Sequence, residues 1–119
     1  LQTCSNILEI HLPAVSGNVG LRTFQNCSRL HCIDIGGTVI FDQSGALENC
    51  TVLEVVILRG EFGRLSSTNC FFNTPIASGT GYIYVPAALV DTYKTATNWS
   101  VYADQIRAIE DYPEICGGE

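Results

Sequence analysis

The sequence predicts a repeat solenoid: a stack of short strands, about 23 residues per rung, closed by a C-terminal helical cap. Two observations predict it. Cys4, Cys27 and Cys50 are evenly spaced at an offset of 23, and several apolar columns follow the same offset. After Pro86 the spacing of apolar residues becomes helical. A single rung of this kind cannot bury its own apolar face, so stacking has to create the core.

The columns define the rung. Three residues before each cysteine stand Leu1, Phe24 and Leu47, and directly after stand Ser5, Ser28 and Thr51. Ile7, Leu30 and Leu53 follow at three, Ile10, Ile33 and Val56 at six, and Leu12, Ile35 and Leu58 at eight. The shared unit is C-x-x-L-x-x-L-x-L, with Leu, Ile or Val at each L. Its end has period 2, which suits a short strand with alternate side chains inward. This is a leucine-rich-repeat pattern.

A fourth rung is degraded. "IYVP" at 83–86 echoes "IHLP" at 10–13, which puts Ile83 and Val85 on the inward columns. "NCFFNTPI" at 69–76 stands in for "ALENCTVL" at 46–53, which assigns Cys70 to the Leu47 column and Asn73 to the cysteine column. "SGTG" at 78–81 reads as a four-residue insertion of turn residues.

Beyond Pro86 the period is expected to stop. "PAALVDTYKTATNW" predicts an amphipathic helix, with Pro86 at its first position and Leu89, Val90, Tyr93 and Ala96 on one face. "NWSVYADQI" predicts a short second turn with Trp99 and Tyr102 folding back, and "RAIED" a last short strand. The expected organisation is rungs over 1–86 (about four, the last degraded), a helical cap over 87–112 and a flexible tail over 113–119.

The unit F-x-N-C-S-x-L-x-x-I-x-I, repeated at the same offset, resembles the BspA-like (Treponema-type) leucine-rich repeats. The ending "YIYVPAALVDTYKTATNWSVYADQIRAI" resembles the closing segment of such arrays and is the more specific part. The resemblance covers about residues 1–110. It implies a curved, right-handed solenoid belonging to a large surface or secreted protein of bacteria or mucosal protists. Some members are associated with adhesion to host matrix proteins or other microbes. The family offers no fixed catalytic residues to carry over. The chain departs from the pattern at Cys32, where other rungs carry Glu9 and Val55, and across 60–75.

Bulk properties narrow the function. The 119 residues suit one domain, and 46% hydrophobic against 15% charged residues is globular composition. Six Lys and Arg against twelve Asp and Glu, all six basic residues scattered, argue against nucleic-acid binding. No apolar run is long enough for a membrane helix; Val52–Leu58 is broken by Glu54. The chain opens at "LQTC" and contains no Met, so it is read as part of something longer, with any secretion signal upstream.

Three chemistries compete for the six cysteines. The ladder cysteines Cys4, Cys27 and Cys50 should face inward on adjacent rungs, roughly 5 Å apart. That separation permits disulfides, but parallel side-chain directions favour free buried thiols acting as small apolar groups. Zinc would need paired ligands; Cys27, His31 and Cys32 come close in sequence, yet the repeat sends Cys27 inward and His31 outward. A nucleophilic Cys32 would need a base, for which His11 on the neighbouring rung is the candidate. The plainer expectation is that Cys32 lies on the exposed face. A Ser16, His11, Asp34 triad can also be assembled, against a surface ion pair or hydrogen bond of small worth. Asn26, Asn49 and Asn98 each begin an N-x-S/T triplet, a glycosylation pattern, though turn-capping explains the repeated ones as well.

The outward strand positions form two rows: Glu9, Cys32, Val55, Tyr82, and His11, Asp34, Ile57, Tyr84. Solenoids bind partners on extended surfaces, and Tyr is enriched at interfaces. Val55, Ile57, Tyr82 and Tyr84, with His11 and Asp34, are therefore the candidate ligand-binding face, unless the cap covers them. The expected function is a non-enzymatic module of a cell-surface or secreted repeat protein. It would bind a host matrix or other surface protein, or a glycan, without cofactor or metal and as a monomer. The alternative is a structural spacer and cap with no ligand of its own.

Overall fold

The computed structural model describes residues 8–12, 17–19, 27–37, 39–41, 47–60, 64–65 and 68–112. Cys4, Ser16, Asn26 and the expected tail at 113–119 lie outside them. Among the described residues, eight short strands form two parallel sheets. β1 (Glu9–Leu12), β3 (Cys32–Ile35), β5 (Val55–Leu58), β7 (Tyr82–Val85) and β8 (Ile106–Ala108) make a five-stranded sheet in that order. β2 (Gly17–Val19), β4 (Val39–Phe41) and β6 (Arg64–Leu65) make a second. The sequence reading had one strand per period. The second sheet escaped it because G-N-V and R-L are too short to show an alternation.

The repeat offset is the strand register. Ile10 pairs with Ile33, and Ile33 with Val56. Val56 then pairs with Ile83, a longer step that absorbs the insertion. The inward residues Ile33, Ile35, Val56, Leu58, Ile83 and Val85 are buried, and Ile10 packs against the same core. The turns before the strands also repeat. Leu30 N–H donates to the Cys27 carbonyl and Leu53 N–H to that of Cys50, both at 3.0 Å. Cys27, Cys50 and Cys70 are free, buried thiols.

Two assignments need correction. The period does not end at Pro86: β8 pairs with β7 through Ile83 and Ile106, which restores the original offset. The fourth turn is also shifted by one. Leu47 N–H donates to the Cys70 carbonyl and Asn49 N–H to that of Phe72, which sets Asn49 beside Asn73 rather than Cys50. Asn49, Asn73 and Asn98 share a positive φ, at 66°, 61° and 69°. Asn tolerates this conformation better than most residues. The residue after each is buried: Cys50, Thr74 and Trp99. Asn73 itself is exposed and donates its side-chain amide to Asn49 Oδ1 at 2.9 Å. Thr74 and Trp99 thus occupy the position of the ladder cysteines.

Between Asn73 and β7 the inserted residues form one turn of helix, α1 (Pro75–Ser78). Thr74 caps it, accepting from Ala77 N–H, and Gly79 ends it at φ 97°. Gly81 closes the insertion against β5. A Cβ there would lie 3.1 Å from the Glu54 backbone and 2.8 Å from Ile76 Cδ1. The Ile76 methyl can move, but the Glu54 backbone is held by Tyr82 N–H donating to its carbonyl at 2.8 Å. Gly81→Ala is expected to cost about 1–3 kcal/mol through this overpacking. Urea unfolding monitored by Trp99 fluorescence would read the change in midpoint.

After Pro86, a 3-10 turn (Ala87–Leu89) leads into α2 (Val90–Thr95) and a longer 3-10 segment (Trp99–Gln105). Tyr93 is buried, while Leu89, Val90 and Ala96 pack against the core. Tyr93 meets Trp99 edge to face at 4.9 Å between ring centres, and Phe71 meets Tyr102 likewise at 5.4 Å. These four rings are packed together within the core. Burial raises the Tyr102 pKa above its ordinary value, with Cys70 adding to the rise. Gln105 Nε2 ties the cap to the insertion by donating to the carbonyls of Ile76 at 2.7 Å and Gly81 at 2.8 Å.

Candidate functional site

The outward face of the five-stranded sheet carries the candidate residues in register. Glu9, Cys32, Val55 and Tyr82 align in one row, and His11, Asp34, Ile57 and Tyr84 in the next. The second row ends on Arg107, paired with Tyr84. The side chain of His11 lies outside the description, as does Ser16, so neither the expected triad nor a Cys32–His11 pair is assembled among the described residues.

This face is not the open surface expected. Cys32 and Ile57 are fully buried, and Tyr84 is 6% exposed. Together they form a second small apolar cluster, against which Val55, Tyr82 and Ile109 pack half-buried. Beyond β8, a 3-10 turn (Ile109–Asp111) brings Ile109 against this cluster. Tyr112 meets Tyr84 edge to face at 5.2 Å. The Arg107 guanidinium lies 3.4 Å from the centre of the Tyr82 ring and 4.9 Å from that of Tyr112, a cation–π arrangement. Glu110 Oε1 fixes the turn by accepting from Ala87 N–H at 2.9 Å. An apolar row on a sheet leaves water whenever a neighbouring segment can reach it. Among the described residues, Ile109 packs on this cluster and Tyr112 on Tyr84. The expectation of an exposed Val55, Ile57, Tyr82, Tyr84 patch is corrected accordingly.

Cys32 is corrected in the same way. It is buried, and it is disulfide-bonded to a cysteine outside the described residues. A sulfur in a disulfide is neither a thiolate nucleophile nor a zinc ligand. Cys27 sits in the main core and Cys32 in the outer cluster, on opposite faces of the sheet. His31 is exposed and lies 3.5 Å from Glu54, an ion pair of small worth when the ring is protonated. No group of three or more His, Cys, Asp or Glu converges among the described residues.

Asp34 has a partner that sequence reasoning missed. Arg59 holds both of its carboxylate oxygens, Nε at 2.7 Å and Nη2 at 3.0 Å. The fork-to-fork geometry occupies the carboxylate that a triad would have used. A signal existed, because Arg59 follows β5 directly and its N–H donates to the Ile35 carbonyl.

A concave feature lies elsewhere, beside the insertion. A shallow, open cleft of about 580 Å³ is lined by Thr51, Glu54, Phe72, Asn73, Ser78 and Thr80, among others. Phe72 is 55% exposed. No helix among the described residues is long and apolar enough to cross a membrane. Comparison with known protein families, with characterised proteins and with solved structures finds nothing that matches this chain.

Proposed function

We propose that the chain is the capped end of a BspA-like leucine-rich repeat array, a right-handed solenoid serving as a non-enzymatic interaction module at a cell surface or outside the cell. The observation that carries this reading is the succession of parallel strands in repeat register, closed by a segment whose rings cover the end of the core. Stacked rungs present broad surfaces and gather few catalytic groups. The disulfide at Cys32 supports an oxidising compartment. The ligand class is a host matrix or other surface protein, or a glycan.

The test is a binding screen of the intact chain, immobilised under non-reducing conditions, against matrix proteins and a glycan array. Saturable binding to at least one class is the expected result. Binding to neither would sink the module reading and leave a structural one: a spacer and cap without a ligand. That second reading has an observation in its favour, since the strand face is largely buried, with the chain's own Ile109 and Tyr112 packed on part of it.

A further inference from the structure

We propose that the cleft beside the insertion is a subsite for a neutral saccharide, an inference that rests on the module reading and names its ligand class. Saccharides offer two surfaces at once: an apolar face of C–H groups and a rim of hydroxyls that both donate and accept. A site for them pairs an exposed aromatic ring with several short, fixed polar groups.

The cleft holds that pairing. Phe72 is 55% exposed, and no ring contact or hydrogen bond engages its side chain among the described residues. Large apolar side chains at this exposure lose solvent contact favourably when a flat apolar surface covers them. The next residue, Asn73, has a positive φ and its side chain meets that of Asn49. Its amide donates to Asn49, which leaves its carbonyl oxygen to accept from a ligand. Thr51 has an exposed hydroxyl with no protein partner among the described residues. Ser78 and Thr80 lie 3.5 Å apart at the rim. Glu54, about half exposed, adds a carboxylate, the strongest acceptor for sugar hydroxyls.

These groups are held on a firm base. Thr74 donates to the Phe71 carbonyl at 2.7 Å and caps α1, which fixes the backbone between Phe72 and Ser78. Gln105 anchors the far side of the insertion. A site built on fixed backbone loses little entropy on binding. Charge selects the class: the chain carries −6 overall, and the cleft contributes Glu54 without a Lys or Arg among its lining residues. Sialylated or sulfated glycans would meet repulsion there, whereas neutral hexoses and N-acetylhexosamines would not.

The experiment is a heteronuclear NMR titration of the intact oxidised chain with cellobiose, chitobiose, lactose and maltotriose at millimolar concentrations. Shifts confined to residues 51–54 and 72–80 with at least one sugar are expected. Phe72→Ala should weaken that binding about tenfold, the size of one stacked ring. Val101→Ser, a substitution at an exposed residue away from the cleft, should leave it unchanged. No shifts with any of the four sugars, or shifts that Phe72→Ala does not weaken, overturn the proposal. A chain that binds a matrix protein but none of the sugars would sink the saccharide subsite alone. A chain that binds neither would sink the module reading with it.

Discussion

Trp99→Ala is expected to lower the stability of the chain by about 3–5 kcal/mol, the usual cost of emptying a large aromatic site in a core. Trp99 is 1% exposed and stands where the inner turns place Cys50 and Thr74. The small residues suffice there because another turn packs against them. At the closing turn no further rung follows within the described residues, and an indole fills the space. Tyr93 sits edge to face on it, and the Phe71 ring lies 6.4 Å away, so its removal unseats two neighbours. Domains of this size have about 5–15 kcal/mol in total, so the variant should be near the limit of folding. Thermal unfolding by circular dichroism would show it. Trp99→Phe, which keeps a ring at the site, should recover most of the loss. A Trp99→Ala protein as stable as the parent would mean that the four rings do not close the core.

The second large effect concerns Cys32. Reduction of the intact chain, or Cys32→Ala, should cost about 2–4 kcal/mol, as for a typical native disulfide. On a chain of this length that lowers the melting temperature by on the order of 10 °C. The two treatments should also agree in where the protein loosens. Cys32 is the buried floor of the outer cluster formed with Ile57 and Tyr84. Losing the bond should loosen that cluster, raising binding of an apolar dye while the main core stays folded. Equal melting temperatures before and after reduction would show that the disulfide adds nothing to stability.

The stacking direction was legible because it depends on one quantity, the spacing of residues that must meet. Ile10, Ile33 and Val56 share a column in the sequence and share a register in the sheet. The turn at Asn73 was less legible. Cysteine identity marks the first three turns, but at the fourth the shared physical feature is the asparagine at positive φ, and Thr74 replaces the thiol. Aligning Asn49, Asn73 and Asn98 instead of the cysteines would have placed Trp99 inward at once. The outer face was misread for a different reason. Period 2 assigns residues to opposite sides of a sheet, yet it says nothing of which segment returns to cover a side. Ile109 and Tyr112 lie far along the chain from β7, and no local pattern links them to Tyr82 and Tyr84.

The extra residues between β5 and β7 bear on how such a chain varies over generations. Val55 and Tyr82 still meet in register although their separation exceeds the repeat, because α1 and Gly79 take up the surplus outside the sheet. Length change is therefore quarantined at this turn, which also bears Phe72 and one wall of the cleft. A lineage that lengthens or rewrites the segment between Asn73 and Gly81 reshapes the cleft while inheriting the strand register unchanged. The same position is where a foreign loop can be grafted with least disturbance.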